Sequence, residues 1–143
     1  MKEHKSSDST IQRQAEVVIR ARLEKELGCN LVETSKYLKK LKLDGFCDSE
    51  LPILIEIWAH QGRAKPAQQA KVMKDMCRLL LAEKLLGKPC RKIFVVSDQI
   101  AISHLKNSWQ GEFAKSFGIE TKVIPIDSEL KRLILLAQKR QKL

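Results

Sequence analysis

Two acidic residues, Asp44 and Glu56, stand out in "LKLDGFCDSELPILIEIWAHQG", residues 41–62. Glu56 lies between Ile55 and Ile57 in an apolar run. A carboxylate desolvated among such residues is costly unless a cation meets it. If the fold brings Asp44 beside it, the repulsion adds to the cost. A hard divalent ion, Mg²⁺ or Mn²⁺, takes oxygen ligands and would cancel both penalties.

The spacing indicates how the two could meet. "KLKLDGFC" alternates as a strand, "DSELP" breaks the chain, and "ILIEIWA" reads as a second strand. With 48–52 as a five-residue loop, the pairing centres on residue 50 and sets Asp44 opposite Glu56. Directly opposed residues hold their Cβ atoms roughly 4.5–5.5 Å apart, where like charges repel. Alternation then puts Lys42, Asp44, Leu54, Glu56, Trp58 and His60 on one face, with Ile53, Ile55, Ile57 and Ala59 packing as core on the other. In the competing reading, Asp44-Gly45 is itself the hairpin turn and Glu56 pairs with a lysine. That reading leaves almost no strand before the second turn signal at 48–52.

The surrounding elements must position the pair. Residues 1–8 read as a flexible polar tail and 9–143 as a single domain. Ser9 or Thr10 can cap a helix whose stripe of Ile11, Ala15, Ile19, Leu23 and Leu27 ends at Gly28. Residues 30–40 fit neither period and leave room for an extra strand. After the hairpin, Pro66 opens a helix ended by Gly87 and Pro89. A strand at 91–98, one helix over 99–117, a strand at 119–126 and a helix capped by Asp127 or Ser128 complete the chain. The order α-β-β-α-β-α-β-α predicts an α/β sandwich: a mixed sheet with helices on both sides.

Composition bounds the partners. The chain carries 27 Lys and Arg against 17 Asp and Glu, a formal net charge of +10. Such a field favours polyanions, nucleic acid before acidic membrane, although a plain lysine-rich surface has the same composition. No apolar run approaches the ~20 residues that span a bilayer. Cys29, Cys47, Cys77 and Cys90 form no CxxC pair and no zinc-ribbon spacing. With a polar, charged start, they suggest reduced thiols in a cytoplasmic protein.

The text "LDGF", "ILIEIWA", the helix "AQQAKVMKDMCRLLL" and the strand "KIFVVSD" together resemble the PD-(D/E)xK phosphodiesterase superfamily, the restriction-endonuclease-like fold, with its α-β-β-β-α-β core. The resemblance implies that Asp44 and Glu56 bind a metal that activates water and steadies charge on the phosphate, with Glu16 on the first helix as a further ligand. The chain departs from the motif where its lysine should follow: Trp58 stands there. Lys42, Lys65 or Lys71 could replace it, Lys71 sharing a helix face with Gln68. Trp58 is either core packing or a platform on which a base stacks. His60 is a ligand, a base or a strand-end residue, and with Arg63 and Lys65 it would border the nucleic acid. Asp98 is a ligand contact or a helix cap, and Trp109 reads as helix packing.

Three functions follow. One is a metal-dependent nuclease acting on DNA or RNA. Another is a nucleic-acid-binding module of the same fold without turnover. The third is a small α/β interaction protein with a structural acid–lysine pair. A lone domain of this size offers little surface for gripping a duplex, which points to a homodimer or a partner subunit.

Overall fold

The computed structural model describes residues 2–32, 34, 38, 40–60 and 65–141. The elements among them are α1 (Lys2–Leu27), β1 (Gly45–Cys47), β2 (Ile53–Trp58), α2 (Pro66–Leu86), β3 (Arg91–Val96), α3 (Gln99–Lys106), α4 (Trp109–Ser116), β4 (Ile119–Val123) and α5 (Ser128–Gln141). The strands form one mixed sheet in the order β1-β2-β3-β4. β1 runs antiparallel to β2, and β3 and β4 continue parallel to it.

The hairpin has the expected register. Gly45 pairs with Ile55, Phe46 with Leu54 and Cys47 with Ile53, so Asp44 comes opposite Glu56. β1 is nonetheless only three residues long. Upstream of it a side chain replaces the ladder: Thr34 Oγ1 donates to the Leu41 carbonyl at 2.7 Å and accepts the Leu43 amide at 3.1 Å. In the stretch 30–40, Val32 makes a single antiparallel bridge to Phe46. Positions 33, 35–37 and 39 of that stretch lie outside the described residues.

Both faces of the sheet are buried, as expected of a sheet with helices on both sides, and the face carrying Glu56 and Trp58 is packed as fully as the other. Ile55, Ile57, Ala59, Ile93 and Val95 pack against Ala15, Ile19 and Leu23 of α1 and Leu130 and Ile134 of α5. The face carrying Leu54, Trp58, Phe94 and Val96 is covered by α2, α3 and α4, through Val72, Met76, Leu79, Ile102, Leu105 and Ala114. Parallel strands joined by crossover helices are buried on both sides for this reason.

Two boundaries differ from expectation. The helix expected from Ser9 or Thr10 already runs from Lys2, since neither Gly nor Pro interrupts the chain before Gly28. The single helix expected over 99–117 is two. Asn107 closes α3 and Ser108 caps α4, its hydroxyl accepting the Gly111 amide at 3.4 Å. A Cβ at Gly111 would fall 2.1 Å from the Leu105 carbonyl oxygen, so the two helices meet only because that residue is glycine.

Candidate acidic site

Asp44 and Glu56 are joined through each other's backbone. The Asp44 amide donates to Glu56 Oε1 at 3.2 Å, and the Ile57 amide donates to Asp44 Oδ2 at 2.8 Å. The two carboxylates thus extend the β1–β2 ladder one step past its last backbone pair. Glu56 is 3 % exposed. Its carboxyl is pushed up to about 9, by burial first and then by the charges of Asp44 and Asp75.

Asp75 was not singled out by the sequence reading. It is buried on α2 and in hydrogen-bond contact with Glu56. Burial raises its pKa, Lys71 lowers it and Asp44 raises it again. A carboxyl pair in contact, both shifted upward, shares protons in place of ionising twice. A signal for Asp75 existed: it interrupts the apolar stripe of Val72, Met76 and Leu79 as Glu56 interrupts its strand.

Glu16 of α1 belongs to the same neighbourhood. Burial and the Asp44 charge raise its pKa, while Lys71, Arg20 and Arg13 lower it. Lys71, exposed on α2, acts electrostatically on Glu16, Asp75 and His60. Arg78 lowers both Glu56 and Asp75 and donates through Nη2 to the Lys42 carbonyl. Among the described residues, no three His, Cys, Asp or Glu side chains are arranged to hold one metal ion.

The remaining candidates separate. Trp58 is 3 % exposed within the α2-side core, so no base can stack on it as the chain is folded. Its ring lies 5.0 Å from that of His60. His60 is half-buried, its Nδ1 is without a hydrogen-bond partner, and burial followed by Lys71 holds its pKa below the usual range. Its carbonyl, with that of Ala59, accepts the Ser97 hydroxyl and ties the end of β2 to β3. Gln68 is engaged at the start of α2, where its Oε1 accepts the Lys65 amide at 2.9 Å. That bond makes it a capping residue. Lys65 and Lys42 are both exposed. Arg63 lies outside the described residues. Asp98 caps α3 through the Ala101 amide at 2.6 Å. Trp109, expected to pack, is 65 % exposed.

The site therefore draws on four elements: Glu16 from α1, Asp44 from the approach to β1, Glu56 from β2, and Lys71, Asp75 and Arg78 from α2. Among the described residues no helix is long and apolar enough to cross a membrane. Comparison with protein-family models, with curated proteins and with solved structures finds no match to this chain.

Proposed function

We propose that the chain is a restriction-endonuclease-like phosphodiesterase that hydrolyses DNA or RNA with Mg²⁺ or Mn²⁺, with Lys71 standing in for the strand lysine that Trp58 displaces. The observation that carries this reading is the position of Lys71. It brings a positive charge from α2 to Glu16 and Asp75, the two acids whose carboxyls also feel Asp44. The element order supports it as well. Helix, bridge at Val32, β1, β2, helix and parallel strand follow the α-β-β-β-α-β sequence of that fold.

The donor set suits a hard cation. Asp44 and Glu56 offer carboxylate oxygens from opposed positions, and their mutual repulsion is what a divalent charge relieves. Mg²⁺ is commonly held by one or two protein carboxylates, with water and phosphate completing its shell, so a third protein ligand is not required. Bound there, the ion would polarise the phosphate and lower the pKa of water. The chain's own residues have separate tasks. Asp44 and Glu56 hold the ion, their orientation fixed by the two backbone amides. Lys71 faces the phosphate, and Arg13 and Arg20 on α1 contact the flanking backbone. The net charge of +10 favours the approach of such a polyanion.

The test is cleavage of single- and double-stranded DNA and RNA in Mn²⁺ or Mg²⁺ by wild type, Asp44→Asn, Glu56→Gln and Lys71→Met. Metal-dependent turnover that all three substitutions abolish is the expected result. Turnover that survives Glu56→Gln would sink the proposal. A second reading, a binding module without turnover, is favoured by Trp58 at the motif position and by the absence, among the described residues, of a three-ligand cluster. It expects salt-dependent binding, no cleavage, and little change on Glu56→Gln.

A further inference from the structure

Away from the acidic site, the sheet ends at β4, which among the described residues has a strand neighbour only on its β3 side. One bond sets the phase of its backbone. The Ile124 amide donates to the Val96 carbonyl at 2.9 Å, so position 124 faces β3. Along a strand, alternate residues turn their N–H and C=O to opposite edges. Glu120 and Lys122 therefore bond toward β3, while Ile119, Thr121 and Val123 turn both groups outward. A groove of about 390 Å³ between α4 and β4, lined in part by Gly111, Ala114, Ile119 and Thr121, leaves room beside that edge. Such a row of outward donors and acceptors is a template for another strand.

The side chains of β4 indicate which strand fits. Its sequence, Ile-Glu-Thr-Lys-Val, places an acid and a base symmetrically about Thr121. Laid antiparallel on a second copy with Thr121 at the centre, Glu120 meets Lys122 of that copy and Ile119 meets its Val123. Glu120 and Lys122 would form a non-hydrogen-bonded pair, with Cα atoms about 4.5 Å apart, where opposite charges attract. Each already has an ion partner on its own chain: Arg91 Nε lies 2.7 Å from Glu120, and Lys122 Nζ lies 3.3 Å from Glu26. All four side chains are partly exposed. Pairing lines up Arg91 and Glu120 of one copy with Lys122 and Glu26 of the other, a row of alternating sign that the twofold axis repeats. Sliding the strands by two residues would instead oppose Glu120 to Glu120 or Lys122 to Lys122, so the charges also fix the register. We infer that the open edge of β4 is a self-association surface, on which a second copy of this chain adds its own β4 to make one continuous sheet across a twofold axis. About six backbone hydrogen bonds would form, two for each of the three opposed pairs. A five-residue strand buries less than a standard interface, so a dissociation constant on the order of micromolar is expected.

The experiment is sedimentation velocity of the full chain in reductant, over a concentration series rising to about 1 mM. The expected result is a concentration-dependent dimer for wild type. Glu120→Lys leaves only bases across the axis and Lys122→Glu only acids, so each alone should weaken association by about tenfold or more. Mixed in equal amounts, the two variants regain opposite charges at every opposed position and should recover the dimer. Local misfolding caused by either substitution would not be repaired by mixing. Thr121→Pro removes an N–H that points outward, which an edge strand tolerates, and should abolish the dimer with circular dichroism unchanged. A wild type that stays monomeric throughout overturns the inference, as does a dimer that persists in Thr121→Pro or a mixture of the charge variants that stays monomeric. None of these outcomes depends on the nuclease proposal.

Discussion

Replacing Glu56 with glutamine should stabilise the metal-free protein at alkaline pH, and the size of the effect follows from the site. In the folded chain the Glu56 carboxyl is raised to about 9 by burial, Asp44 and Asp75, against an ordinary value of 4.5. Between those two values the folded state keeps a proton that the unfolded chain has released. Its contribution to stability is complete below pH 4.5 and is lost as pH rises through 9. Each pH unit within that window costs about 1.4 kcal/mol. From pH 5.5 to 8.5 wild type should therefore lose about 4 kcal/mol from this one group. With a urea slope near 2 kcal/mol/M, the midpoint would fall by about 2 M. Glutamine keeps the acceptor for the Asp44 amide and carries no titrating proton, so the mutant should lose most of that slope. Urea unfolding in EDTA, followed by fluorescence of the buried Trp58, measures both curves. If wild type holds its midpoint across the range, or Glu56→Gln is the less stable protein at pH 8.5, the carboxylate is ionised and neutralised by Arg78. A divalent ion between the two carboxylates would then have no uncompensated charge to relieve.

Saturating Mn²⁺ should raise the melting temperature of wild type and leave Asp44→Asn and Glu56→Gln unmoved; at a hundredfold excess over Kd, about 2.7 kcal/mol is a shift of roughly 8 °C, read by calorimetry. On the proposed nuclease reading, in which the lysine acts on the phosphate and not on the ion, Lys71→Met should cut cleavage by about 10²-fold or more while retaining the Mn²⁺-induced shift. Gly111→Ala should cost about 3 kcal/mol in urea unfolding, since the new Cβ meets the Leu105 carbonyl.

The register that opposes Asp44 and Glu56 was legible because turn length and period-2 alternation fix a hairpin almost completely. Glu56 declared itself as a charge inside an apolar run. Asp75 carries the same kind of signal, weaker because a helix buries only a stripe and an acid beside it usually reaches water. Trp58 was left open between core and platform, and Trp109 was misjudged, for one reason. Whether an aromatic residue is covered depends on which helix lands on it, and local spacing does not encode that. The break at Asn107-Ser108 follows from a cap residue within a pattern that otherwise continues as a helix. The division of the site among α1, β2 and α2 is a matter of tertiary placement, which no local pattern encodes; Glu16 and Lys71 were reached only through the family resemblance.

The reciprocal bonds between Asp44 and Glu56 make the acidic pair part of the scaffold. With only three residues in β1, the edge of the sheet relies on those two side chains to stay aligned with β2. A chain of this fold without turnover would still need both acids to keep its edge strand in place. Their presence in a relative therefore says little about activity, and the residue to inspect first is the one at position 71, which holds no strand together.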